Sequence, residues 1–131
     1  MNSTADLLAA LGAHLVEFEL PTIASVHVAA TRSRPQVTVQ LSRGAPSALT
    51  QALLAWADTL TEVTAQAWRV PNGERVHLSV TGHLPGRESL RVYGGAPFAQ
   101  HGIGADLAPS AATTIRLVAL RHLATPGDVA V

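Results

Sequence analysis

The 131-residue chain contains no cysteine, and its nine basic residues are all arginine, so lysine is missing as well. Without cysteine there is no disulfide framework, no thiolate metal ligand and no cysteine nucleophile. Nine acids balance the nine arginines, and the formal charge is zero with the six histidines counted as neutral. A nucleic-acid binder usually carries a basic excess, because neutralising phosphates and releasing counterions supplies much of its affinity. The balance here disfavours that class. No run of about 18 apolar residues occurs, so a transmembrane helix is not expected. The apolar positions of the N-terminal stretch are broken by Asp6, His14, Glu17 and Glu19, with no basic segment before them, which is unlike a signal peptide. A cytoplasmic protein with no membrane contact is the expectation.

What is present is an ordinary globular composition, with 47% hydrophobic and 14% charged residues, and this excludes disorder of the chain as a whole. Area scaling for this mass gives about two thirds of the extended-chain surface buried on folding, enough for a core without a staple. The length fits a single domain over residues 1–131, with roughly 1–3 and 126–131 frayed.

Ser3 followed by Asp6 is a helix-start signal, and Leu7, Leu8, Leu11 and Leu15 form a stripe that predicts a first helix to about Val16. From Ile23 the period becomes two. Val26 and Val28 alternate with Ser25 and His27, and Val37, Val39 and Leu41 alternate with Gln36, Thr38 and Gln40, which predicts a β-hairpin. After Gly44, Pro46 suits the first turn of a long helix running to about Trp68, since Leu49, Leu53, Trp56, Leu60, Val63 and Ala67 recur at helical spacing. Val76, Leu78 and Val80, then Leu90 and Val92, predict a second hairpin around a type II turn at 84–87. Residues 96–109 read as a long loop, Thr113–Leu117 as a strand and Val118–Leu123 as a helical turn. The fold class expected is α+β: a two-layer sandwich in αββαββ order, its mainly antiparallel sheet carrying helices on one face, plus a C-terminal strand or helical turn.

The outward strand positions assemble one polar face. Its candidate binding residues are His27, Thr38, Arg75, His77, Ser79, Arg91 and Tyr93, which together suit an anion or carboxylate through charge-assisted hydrogen bonds. The plain alternative is a solvated sheet face rich in β-favouring side chains. His27 and His77 approach each other only if their strands are neighbours, and two imidazoles fall short of the three protein ligands of a catalytic zinc site. No metal and no cofactor are expected. There is no G-x-S-x-G, the glycines at 94, 95, 102 and 104 do not form a phosphate-binding loop, and Asp58 with Glu62, one helical turn apart, reads as a solvated face. Arg32, Arg34 and Arg43 lie in a stretch with no acid between residues 20 and 57, and they carry a nucleic-acid alternative.

The segments LLAWADTLTEVTAQAWRVPNG and VHLSVTGHLPGRESLRVYGGAPF resemble small uncharacterised proteins of actinobacteria, some encoded in mobile or integrated elements, over roughly residues 20–125. The resemblance implies a cytoplasmic bacterial protein and transfers no catalytic residue. The function expected is a non-catalytic interaction module that binds a protein partner or itself, as a homodimer, through the polar sheet face or a strand edge. One alternative is a small ligand-binding domain or enzyme with a pocket between the sheet and the 96–109 loop, using His77, Arg91 or Tyr93. The other is a weak nucleic-acid accessory factor.

Overall fold

The computed structural model describes residues 3–29, 35–42, 45–98 and 105–123. In chain order these form α1 (Thr4–Glu17), β1 (Ile23–Ala29), β2 (Gln36–Leu41), α2 (Pro46–Ala57), β3 (Thr61–Arg69), β4 (Arg75–His83), β5 (Ser89–Pro97), β6 (Ala112–Ile115) and α3 (Leu117–Leu123). The described residues are α+β, with three helices and an open, mostly antiparallel six-stranded sheet.

Helix α1 starts where Ser3 and Asp6 predict. The Asp6 N–H donates to Ser3 Oγ at 3.1 Å and the Ser3 N–H to Asp6 Oδ2 at 3.2 Å, so two of the free donors at the helix start are satisfied reciprocally. Its buried line is Leu7, Leu11 and His14. Leu8 and Leu15, expected on that stripe, are exposed, because at 100° per residue they stand about a quarter turn away from it.

The long helix expected to reach Trp68 ends at Ala57. The chain turns through Asp58-Thr59-Leu60, with Thr59 N–H donating to the Trp56 carbonyl and Leu60 N–H to that of Ala57, and residues 61–69 become β3. The reason lies in the sequence itself. Val63, Ala65 and Ala67 alternate with Thr64, Gln66 and Trp68, so positions 60, 63 and 67 satisfy a helical spacing while the whole segment satisfies a period of two. β-Branched Thr59, Thr61, Val63 and Thr64 then favour the strand. The order is therefore αββα followed by four strands and a short helix.

The strands lie in the order β1-β2-β5-β4-β3-β6. The predicted hairpin β1/β2 sets Val26 opposite Val39 and Val28 opposite Val37, and β3, β4 and β5 form an antiparallel meander with β6 returning beside β3. A parallel seam, the only one among the described residues, joins the two halves, β2 to β5, with Val39 beside Val92. The β4–β5 turn closes by Arg87 N–H to the Leu84 carbonyl at 2.7 Å, but the left-handed residue is Arg87 (φ 71°) and not Gly86, so it is not the expected type II turn.

Val37, Val39, Val76, Leu78, Val80, Leu90 and Val92 of the sheet meet Leu7, Leu11, Leu49, Leu53, Trp56 and Leu120 of the helices in one core. Helix α2 packs on β4 and β5, and α1 on β1 and β2. At Gly94 the approach of α2 is so close that a Cβ would collide with Leu49 Cδ1, and glycine is what lets the helix seat.

Candidate functional site

The strand positions that alternate with the core carry polar, cationic and aromatic side chains. The register aligns them in rows across the sheet. One row runs His27, Thr38, Arg91, Thr81 and Thr64, and the next Ser25, Gln40, Tyr93, Ser79, Gln66 and Thr114. A third places His77 between Gly95 and Trp68, with Arg75 beyond it opposite Pro97. All seven candidate residues read from the sequence thus share one face. They are not all equally available: Ser79 is 4% exposed and forms part of the floor. His27 stands on β1, separated from β4 by β2 and β5, so it does not meet His77. Among the described residues no group of three or more His, Asp or Glu side chains is placed to hold a metal.

Within this face four side chains form a continuous strip. Trp68 and His77 meet edge to face with ring centroids 5.3 Å apart, His77 stacks on Tyr93 at 5.6 Å with 28° between planes, and the Arg91 guanidinium lies 5.4 Å from the Tyr93 ring centre. Gly95 keeps room for the imidazole, since a Cβ there would come within 3.2 Å of it. Burial, and then the Arg91 and Arg75 guanidinium groups, push His77 below its ordinary value of 6.5. The ring is therefore neutral at pH 7 and stacks as an uncharged aromatic. Sequence reasoning missed Trp68, because a helix ending there gives it no place on the sheet. The available signal was its alternation with Ala65 and Ala67.

At one end of the same face a cavity of about 600 Å3 is lined by Thr61, Glu62, His83, Leu84, Pro85 and Arg87. His83 Nδ1 lies 3.8 Å from Glu62 Oε2, and both Glu62 (φ 53°) and Arg87 (φ 71°) hold left-handed backbone. Glu62 had been expected beside Asp58 on a helix face. The structure instead puts Glu62 in β3 and Asp58 at the end of α2, 3.6 Å from Arg121.

This cavity is lined by none of residues 96–109, and the pocket expected between the sheet and that loop falls in part outside the described residues. Residues 99–104 of that loop, and Arg32, Arg34 and Arg43, lie outside the described residues. The described flanks of the loop are tied down by the end of β3. Arg69 donates from Nε to the Gly73 carbonyl at 3.0 Å and from Nη1 to that of Leu107 at 2.9 Å, and its guanidinium sits 3.6 Å over the Phe98 ring.

No family model matches the chain, and neither does any curated protein or solved structure.

Proposed function

We propose that the chain is a non-catalytic interaction module, a two-layer sandwich with its helices on one face, that pairs with a second copy of itself through the β1 edge. The observation that carries this reading is Val26. Its register sets it with the core, opposite the fully buried Val39, yet it is 41% exposed because no strand pairs with the outer side of β1 among the described residues. An unpaired edge offers alternating N–H and C=O groups to another strand, and β1 has no proline, arginine or acid to blunt it.

Helix α1 adds apolar surface on the same side. Ala10, Ala13 and Glu17 border a cavity at the β4–β5 turn. Leu8 (48% exposed) and Leu15 (38%) lie about a quarter turn from the buried line in the opposite sense, towards the β1 edge. A two-fold axis beside β1 pairs it antiparallel with its copy, sets Val26 against its counterpart, and brings the two α1 stripes together; closed two-fold dimers are the commonest assemblies. Light scattering over a concentration series tests this. A mass approaching twice 13.6 kDa in the micromolar range is expected. Val26→Arg with Leu15→Glu should return the monomer with unchanged circular dichroism. A wild type that stays monomeric at high micromolar concentration overturns the reading.

A small-ligand reading has one observation in its favour, the two left-handed non-glycine residues bordering the 600 Å3 cavity, since such backbone is held at a cost and collects at ligand sites. Thermal-shift screening of small carboxylates and phosphates against wild type and Arg87→Gln tests it, and the same shift in both proteins removes it.

A further inference from the structure

We propose that the strip formed by Trp68, His77 and Tyr93, with Arg75 and Arg91 beside it, binds single-stranded nucleic acid, bases stacking on the rings and phosphates pairing with the guanidinium groups. Two features of the face point to this occupant. The first is charge. The chain is neutral overall, but its acids are segregated from the sheet: Glu62, at the β3 irregularity, is the only acid within any of the six strands, while Arg75 and Arg91 stand on the polar rows. Neither Arg75 nor Arg91 forms an ion pair among the described residues. The face is therefore positive and complements an anion, although net charge gives no hint of it.

The second feature is the rings. Single-strand binders combine a positive track with aromatic side chains on which successive bases stack, and every base has a face to offer. Trp68, His77 and Tyr93 occupy adjacent strands β3, β4 and β5, and at about 4.8 Å per strand they span roughly 10 Å, the scale of two splayed bases. His77, neutral, edge to face with Trp68 and stacked on Tyr93, joins the two larger rings into one aromatic strip and leaves the charge to the arginines. An acidic protein segment would use the arginines and leave the rings idle. A duplex, its bases already stacked, would do the same.

The test is a titration of the full chain with a short fluorescein-labelled oligothymidylate at low salt, read by anisotropy and by tryptophan emission. Saturable binding is expected, with quenching of Trp68 while Trp56, fully buried in the core, keeps its emission. Trp68→Ala and Tyr93→Leu should each lower affinity roughly tenfold. Arg75→Gln and Arg91→Gln should each reduce the salt slope by about 0.7. Any of four results overturns the proposal: no saturable binding, equal binding of the matching duplex with the ring variants unaffected, full competition by polyglutamate, or binding of thymidine monophosphate as tight as that of the oligomer. If Trp68→Ala does not fold, Tyr93→Leu and the two half-exposed arginines decide. Self-association is a separate question, because the Val26→Arg variant should bind the oligonucleotide as wild type does.

Discussion

His14 Nε2 in α1 lies 2.7 Å from Thr59 Oγ1, and that hydroxyl in turn lies 2.8 Å from the carbonyl of Trp56. A hydroxyl has one hydrogen to give. Thr59 donates it to the carbonyl and accepts from His14, which assigns the imidazole proton to Nε2 and leaves Nδ1 buried without a partner among the described residues. The Nε2 donor survives protonation, but a second proton on Nδ1 would be a buried N–H with no acceptor among the described residues, which favours the neutral ring, tilted on Phe18 and stacked at 6.2 Å on Trp56.

A pH dependence of stability follows from this. Burial lowers His14 from its ordinary 6.5, more than Glu17 raises it, and His77 is lowered as well. A lowered folded value means that the unfolded chain binds more protons as pH falls below about 6.5, so stability is fully present above that pH. It declines with falling pH until the folded values are passed. Urea midpoints measured from about pH 7.5 to about pH 5.5 should fall. In His14→Gln, which keeps a donor to Thr59, the decline should be smaller. A slope identical to wild type in that variant would mean that His14 titrates freely.

The two tryptophans should separate sharply. Trp56 is fully buried among Leu53, Leu7 and their neighbours in the core, whereas Trp68 is half-buried on the polar rows. Trp56→Ala should cost about 3–5 kcal/mol, the range for a buried aromatic, and Trp68→Ala clearly less. Trp56 Nε1 has no hydrogen-bond partner among the described residues, so Trp56→Phe removes bulk without breaking a bond and should cost less than Trp56→Ala. Chemical denaturation of the three variants measures this.

The segments whose pattern is local were readable from the sequence. The Ser3–Asp6 box, the alternation of β1 with β2 and of β4 with β5, and the burial of Trp56 are each set by residues a few positions apart. What failed was the segment 58–69, where one set of apolar positions fits both periods and only pairing with β4 and β6 decides between them. That single error hid β3 and removed Trp68 from the candidate site. The parallel β2/β5 seam joins residues about fifty apart, and nothing local encodes it. His14 read as a break in an apolar stretch, because its partner Thr59 lies 45 residues away.

The contact of Gly94 with Leu49 is another long-range feature, and it can be measured as a coupling. Gly94→Ala forces its new methyl group into Leu49 and should destabilise by about 1–3 kcal/mol, the usual cost of overpacking. Leu49→Ala alone opens a cavity and should cost about 2–5 kcal/mol. In the double variant the methyl group enters the space the leucine vacated, so the two losses should sum to more than the measured total. Simple additivity within error would mean that α2 is not seated on Gly94.

Arg87 is the clearest case of backbone held against its preference. It adopts φ 71° just after the Pro85-Gly86 pair, a region that costs an L-residue roughly 1–2 kcal/mol and a glycine almost nothing. Its neighbour Gly86 does not take up that conformation, because the close of the turn, Arg87 N–H to the Leu84 carbonyl, fixes the left-handed step one residue later. Arg87→Gly should therefore raise stability by up to about 1 kcal/mol, even though it deletes a side chain at the cavity it shares with Glu62 and His83. The guanidinium makes no ion pair among the described residues, so little is lost in exchange. Arg87→Ala, which keeps the strain and loses the charge, is the control and should not be stabilised. If both variants gain stability equally, the benefit comes from removing charge near the turn and the strained backbone is not its source.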